Sequence, residues 1–270
     1  MQTSSQLLPN LDSPTAFVII SQPRTGSTLI CSLLNSNSNV RALVEPINPI
    51  GHKHHMQPLP NDKHLIPQLL VDRSLATVMD QMFSKDGISS DMTQDWLSKR
   101  SASKAVGFKI MIHQIMALKQ KEIFWKSLVK HKAKIVVNYR QNILMQYVSD
   151  IIAARTGKST CYDGKPITTE VMIPIASLGD NLKRIVDEQK SIAELIRKVN
   201  LPTYKLKYEE FRDNVEPIEN LNRWLTGDKI NLTTKMSKQN PENLKARVKN
   251  YHDLAKEVRR LGLENLLVDN

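Results

Sequence analysis

Only two cysteines, Cys31 and Cys161, occur in 270 residues. No disulfide framework is built from so few, and the chain is expected to fold in a reducing, cytoplasmic setting. Aromatic residues make up 5%, too few to interleave with basic ones as stacking platforms for single-stranded nucleic acid. No apolar run approaches the roughly 20 residues that span a bilayer, so no transmembrane segment is expected. Met1 to Pro14 is polar and lacks the basic-then-apolar pattern of a secretory signal. Helix-turn-helix, zinc-finger and RNP-like strings are absent, as are internal repeats and low-complexity tracts.

What is present is an ordinary globular composition, 40% hydrophobic and 24% charged, in a chain long enough to bury a sizeable core. Length alone fits one large domain or two small ones; we read 1–270 as one. The formal net charge of +11 leaves open nucleic acid, an acidic membrane surface, an anionic cofactor or substrate, or simply a basic solvated surface. The basic residues are dispersed rather than blocked, which goes against nucleic acid.

Short apolar runs alternate with longer helical patterns, the signature of a parallel α/β sheet. Strands are expected over Ala16–Ser21, Arg41–Val44, Val106–Met111, Lys134–Asn138 and Thr203–Leu206. Helices are expected over Ser27–Asn35, Leu69–Phe83, Thr93–Arg100, Lys119–Lys130, Asn142–Arg155, Asn181–Val199 and Pro217–Leu225, with a charged pair near Pro241–Leu261. Leu144, Tyr147, Val148, Ile151 and Ile152 recur at helical spacing as one apolar face. Cys31 falls on the first helix and reads as a small core residue. Pro46–Pro67, with five prolines and four histidines, reads as a long surface loop, and Gly157–Ser177 is similarly irregular. His52, His54, His55 and His64 match no metal-ligand spacing, so no metal is expected.

The chemistry-bearing stretch runs from Phe17 to Ile30: a buried strand, then Ser21-Gln22-Pro23-Arg24-Thr25-Gly26-Ser27-Thr28, then a helix start. Such a turn aims backbone N–H groups and the positive end of a helix dipole at one spot, which suits a phosphate. The ATP-binding version reads G-x-x-x-x-G-K-[ST]. Here Ser21 and Gly26 stand at the glycine positions and Ser27 where the lysine belongs, while Arg24 places a cation inside the turn. Further on, a strand ends in Asn138-Tyr139-Arg140, and Ser149 lies about two turns along the next helix. A forked guanidinium with a hydroxyl suits a phosphate monoester. Taken alone, Arg140 is equally a surface residue and Ser149 a filler.

Pro23-Arg24-Thr25-Gly26-Ser27-Thr28 resembles the 5′-phosphosulfate loop of sulfotransferases that use 3′-phosphoadenosine 5′-phosphosulfate (PAPS), closest to the bacterial and carbohydrate-type branch, which carries Arg in the loop. Arg140 with Ser149 is similar to that family's 3′-phosphate motif, and Ala153-Ala154-Arg155-Thr156-Gly157 also looks like the carbohydrate-type branch. Leu206-Lys207-Tyr208-Glu209-Glu210-Phe211 resembles the strand-end segment whose tyrosine approaches the adenosine half; Tyr208 reads equally as a half-buried core ring. Met236-Ser237-Lys238-Gln239-Asn240 stands where the family has a basic loop closing over the cofactor, and Lys245–Tyr251 resembles its terminal helix. The resemblance touches five segments, about a third of the chain, in the family's order. It implies a P-loop-like central parallel sheet flanked by helices, the sulfotransferase fold, with PAPS as sulfonate donor and no metal.

Sulfonyl transfer to a hydroxyl needs a base, positive charge at the leaving phosphate and a site that excludes water. Arg24 and the loop amides supply the charge. Glu45, at a strand's carboxyl end, matches the glutamate credited with the base role in the trehalose-type bacterial branch. Partial burial would raise its pKa. His113 is the second candidate, because cytosolic members place a catalytic histidine near the end of a comparable strand. Lys109, four residues earlier, either positions the sulfonate or caps the strand at the surface. The expected activity is transfer of a sulfonate to a hydroxyl of a carbohydrate, lipid or small metabolite. The alternatives are a small-molecule kinase with a degenerate loop and a non-catalytic nucleotide- or nucleic-acid-binding module.

Overall fold

A computed structural model of the chain describes residues 14–45, 83, 103–118, 121–158, 169–236 and 243–268. The expected helix Thr93–Arg100, nearly all of Leu69–Phe83, the Pro/His-rich segment 46–67 with its four histidines, Cys161 and Lys238 lie outside the described residues.

Five strands form one parallel sheet: β1 (Thr15–Ser21), β2 (Val40–Val44), β3 (Ala105–Met111), β4 (Lys134–Tyr139) and β5 (Thr203–Lys207), in the order β2-β3-β1-β4-β5. Each lies within one residue of the range expected from sequence. The central strand is apolar from Ala16 to Ile20 because both of its faces are covered, as parallel sheets require. Ala16, Val18 and Ile20 pack on one side with Phe108, Phe124 and Ile135. Phe17 and Ile19 pack on the other with Ile30, Leu33, Leu34 and Leu221. Phe83 is buried against Phe108, their ring centroids 5.8 Å apart.

The helices among the described residues are α1 (Ser27–Leu34), α2 (Ile112–Ala117), α3 (Lys121–Lys130), α4 (Ile143–Thr156), α5 (Leu178–Val199), α6 (Tyr208–Phe211), α7 (Glu216–Thr226), α8 (Leu244–Arg247) and α9 (Tyr251–Arg260). Two of them, α2 and α6, were not expected from the sequence. Each follows its strand without a loop, so no turn residues announce it. In α4, the N-cap Asn142 side chain accepts from the Met145 amide at 3.0 Å, and Leu144, Tyr147, Val148 and Ile152 are buried against α5 and α9, as their spacing predicts. Cys31 is buried in α1.

The connection from β1 leads to β2 on one side of the sheet, and that from β4 leads to β5 on the other. Ligands of open α/β sheets bind at the carboxyl ends of strands where such connections diverge. The register sets Ser21, at the end of β1, beside Met111 of β3 and Asn138 of β4, so the loops after three neighbouring strands leave from one level.

The register also demands a glycine. Gly107 of β3 lies opposite Phe17, and a Cβ there would stand 2.2 Å from the Phe17 carbonyl oxygen and 2.5 Å from its ring. Gly107→Ala is expected to cost about 3 kcal/mol by overpacking the sheet centre, read from urea unfolding. A loss below about 1 kcal/mol would contradict this close approach.

Candidate active site

The loop after β1 is held from beneath by its carbonyl groups. The Thr25 hydroxyl donates to the Gln22 carbonyl at 2.8 Å, and Gln146 Nε2 of α4 donates to the Pro23 carbonyl at 3.0 Å. Arg140 Nη1 reaches the Arg24 carbonyl at 3.4 Å, and Asn138 Nδ2 of β4 donates to the Thr25 carbonyl at 2.6 Å. In a trans peptide the N–H of the next residue points opposite to the carbonyl. Fixing the carbonyls of residues 23–25 therefore turns the amides of Arg24, Thr25 and Gly26 to the other side, toward the N-terminus of α1. Gln22 pins the base of the loop to α5, donating to the Ile185 carbonyl and to Glu188 Oε2, both at 2.9 Å.

This path needs two left-handed residues, Arg24 at φ 64° and Gly26 at φ 80°. Gly26 is required twice over, since a Cβ would lie 2.8 Å from the Tyr208 ring. The α1 N-terminus carries no acidic residue in its first turn, so its positive end is uncompensated there. Thr25 and Ser27 are buried. Arg24, Gly26 and Thr28 between and beside them are partly exposed.

The second motif meets the first. Arg24 Nε donates to Ser149 Oγ at 3.0 Å, and the Arg140 guanidinium lies over the Tyr208 ring with its carbon 4.5 Å from the centroid. Arg140 and Ser149 are both 8% exposed. The backbone around Arg140 is fixed by Glu209, which accepts from the amides of Gln141 and Asn142 at 3.0 Å, and by Gln189 Nε2, which donates to the Arg140 carbonyl at 3.1 Å. Burial depresses the Arg24 pKa; Asp150 pulls it up and Arg140 pushes it further down. Tyr208 packs on Phe211 beside the core, as the reading of a half-buried ring expects, and it presents its face to Arg140.

A third group gathers at the ends of β2 and β3. Lys109 is 1% exposed, which rules out a surface cap. Its Nζ lies 2.7 Å from Glu45 Oε1 and donates to Thr28 Oγ1 at 3.1 Å. Gln114 Nε2 of α2 donates to Glu45 Oε2 at 2.8 Å. Burial pushes the Glu45 pKa up, yet Lys109, the Gln114 hydrogen bond and His113 together hold it below the ordinary carboxylate value. This corrects the expectation of a raised pKa, which considered burial without a buried cation. His113 is exposed on the first turn of α2, beside a cleft of about 480 Å³ that α2 shares with α5.

Pro23, Arg24, Thr25, Gly26, Ser27, Thr28, Glu45, His113, Arg140, Ser149 and Tyr208 thus stand along one edge of the sheet, from the end of β2 to the end of β5. Sequence reasoning missed Gln114, Asn138, Gln146 and Glu209, the groups that hold this set in place. Asn138 and Glu209 stand inside stretches singled out in the sequence, but neither was given a role there. Among the described residues no three His, Cys, Asp or Glu side chains gather as a metal site would need, and no helix is long and apolar enough to cross a membrane.

No family model and no curated protein matches the chain. Among solved structures it is similar to a sulfotransferase from Alicyclobacillus acidocaldarius, with 94% of this chain and 95% of that one covered, 14% identity and a TM-score of 0.48. At that distance the chemistry is read from the geometry of the site alone.

Removing one partner of a buried ion pair strands the other. Lys109→Met is expected to cost about 3–5 kcal/mol in urea unfolding at neutral pH, and adding Glu45→Gln should recover most of it. Because the folded-state pKa of Glu45 is depressed, the pair's contribution is complete above the ordinary carboxylate value of 4.5 and declines as pH falls through the lower folded value. Glu45→Gln should therefore flatten the acid side of the stability profile. An unchanged acid slope would mean that the carboxylate is not held in this way.

Proposed function

We propose that this protein is a PAPS-dependent sulfotransferase that transfers a sulfonate to a hydroxyl of a carbohydrate, lipid or small metabolite. The observation that carries the reading is the loop after β1. Its carbonyls are tied down, which turns the amides of residues 24–26 away from those tethers at the start of α1, and the guanidinium groups of Arg24 and Arg140 stand at it. That is a cradle for a compact anion next to a second anion site, spaced by the Arg24–Ser149 hydrogen bond. A nucleoside bisphosphate ligand has two such anions. Ser27, where a kinase loop has its lysine, is a buried hydroxyl, which favours sulfonyl over triphosphate chemistry.

In this reading the loop from Pro23 to Thr28 holds the 5′-phosphosulfate, and Arg140 with Ser149 holds the 3′-phosphate. Tyr208, set between Gly26 and Arg140, borders the adenosine half, and Lys238 is a further cofactor-binding candidate by its place in the sequence alone. When bound, the donor supplies a sulfonate already joined to a phosphate leaving group. Arg24 meets the negative charge that grows on that phosphate, where fixed cations act most strongly. Lys109 faces the sulfonate side through the same Nζ that touches Thr28. Glu45 takes the acceptor's proton. It is preferred over His113 because its carboxylate is gripped at both oxygens, whereas His113 is exposed and better placed to orient an acceptor entering the α2–α5 cleft.

Thermal unfolding separates this reading from its rivals. Adenosine 3′,5′-bisphosphate should raise the melting temperature strongly, and ATP–Mg²⁺ or oligonucleotides should not, since stabilisation follows affinity. Equal shifts for all three would overturn the reading. Arg140→Ala should weaken the bisphosphate by about 2–4 kcal/mol and adenosine 5′-phosphosulfate, which lacks the 3′-phosphate, far less. Equal losses would remove Arg140 from that role.

For the chemical step, Glu45→Gln should slow single-turnover sulfonation about 10²–10⁴-fold with bisphosphate affinity nearly unchanged, and His113→Asn should cost much less. The reverse order would give the base role to His113. Arg24→Ala should lower turnover more than it weakens the bisphosphate, and Arg24→Lys should restore part of the activity. Unchanged turnover would move the cation's role to Lys109.

A further inference from the structure

Gln114 is 2% exposed and uses both ends of its amide. Its Oε1 accepts from the Met111 amide at 2.9 Å, and its Nε2 donates to Glu45 Oε2 at 2.8 Å. A backbone N–H can only donate, so Met111 fixes which end of the amide faces it. The other end must then present a donor to Glu45. Lys109 holds the remaining oxygen at 2.7 Å. The Glu45 backbone is anchored as well, with its amide donating to the Lys109 carbonyl at 2.9 Å and its φ at 49°. A carboxylate gripped at both oxygens is restrained from turning about its last bond.

We propose that Gln114 is a positioning residue for Glu45: it sets the direction in which the carboxylate meets the acceptor hydroxyl and keeps it an anion until it takes that proton. This rests on the reading of Glu45 as the base. The feature that produces it is the direct passage from β3 into α2. With no intervening loop, the third residue of α2 falls back over the end of β3, beside the end of β2. Among the described residues, the other charged or titratable groups acting on Glu45 are Lys109 on β3 and His113 on α2. Only Gln114 grips the carboxylate without a charge of its own.

A positioning role differs from a structural one in what moves when the residue changes. Gln114→Met keeps the volume and removes both hydrogen bonds. Gln114→Glu keeps an acceptor for Met111 and sets a second carboxyl against Glu45, so that the two share a proton. The experiment follows the Glu45 side-chain carboxyl by NMR in protein labelled with ¹³C-glutamate, with the resonance assigned through Glu45→Gln. In parallel, single-turnover transfer of labelled sulfonate from PAPS to a pool of sugars, alcohols and phenols is measured.

The titration midpoint of Glu45 should rise by about one pH unit in Gln114→Met, the worth of one hydrogen bond to a charged group, and further in Gln114→Glu. Turnover at neutral pH should fall about 10–100-fold in both, as a misdirected base requires, with affinity for adenosine 3′,5′-bisphosphate unchanged. A Glu45 midpoint that stays in place in both variants overturns the proposal. So does a shifted midpoint with parental turnover, provided that Glu45→Gln is itself inactive. If Glu45→Gln turns over like the parent, the base reading falls instead, and the proposal falls with it. Should Gln114→Met fail to fold, Gln114→Glu alone decides, through the same two readouts.

Discussion

The site depends on the downward tethering of the carbonyls of Gln22 to Thr25. A neutral hydrogen bond contributes only about 1 kcal/mol net, but a buried carbonyl left without one costs more. Rotating any peptide of this loop would therefore orphan a carbonyl and aim it at the place where an anion would sit. The donors come from separate elements: Asn138 from β4, Gln146 from α4, Arg140 from the joint between them, and the Thr25 hydroxyl from within the loop. Parallel pairing of Ser21 with Asn138 puts the first of these at the right level. Sheet register, a property of the apolar core, is thereby converted into amide direction at the surface.

The same edge concentrates positive charge. Arg24, Arg140 and Lys109 reach it from β1, β4 and β3, and Lys109 has a carboxylate in direct contact, Glu45. A buried ion pair seldom stabilises a fold relative to apolar side chains of equal volume. Keeping Lys109 and Glu45 inside is better explained by what they do at the end of their strands. With its pKa depressed, Glu45 is a weaker proton acceptor for as long as Lys109 holds it. An anion arriving near Thr28 would draw on the same Lys109 ammonium and release part of its hold, raising the basicity of Glu45 as the reacting groups assemble.

The strands were legible because burial on both faces makes most of their residues apolar and β-branched, as in Phe17–Ile20 and Ile135–Val137. Arg140 was placed by its strand end, and Ser149 by its seat about two turns into the following helix. Asn138, Gln146 and Gln114 were not. Each bonds a partner far along the chain, 113 positions away for Asn138 and 69 for Gln114, and an amide side chain carries no periodicity. The direction of the Glu45 pKa was misjudged for a related reason. Burial can be inferred from an apolar neighbourhood, but the lysine that reverses its effect sits on another strand, in an alternation that reads as ordinary. His113 was expected beyond a strand end and lies there, but on a helix that no turn residue announced.

Backbone strain gives an independent line to the same residues. Among the described residues, four other than glycine have positive φ: Arg24, Glu45, Lys132 and Asn200. Lys132 and Asn200 follow the ends of α3 and α5, where a left-handed residue closes a helix and satisfies its last carbonyls. Arg24 and Glu45 close no helix. They stand just past β1 and β2, each in a conformation that costs a side-chain-bearing residue roughly 1–2 kcal/mol. Glycine would remove that cost at either position, but it would also remove the guanidinium or the carboxylate. Strain persists where the surroundings over-determine it, and such residues cluster at functional sites. Here the tethered carbonyls impose it on Arg24, and the Lys109 carbonyl with the Gln114 and Lys109 side chains imposes it on Glu45. The two strained residues are the ones that bring a guanidinium and a carboxylate to the same edge of the sheet.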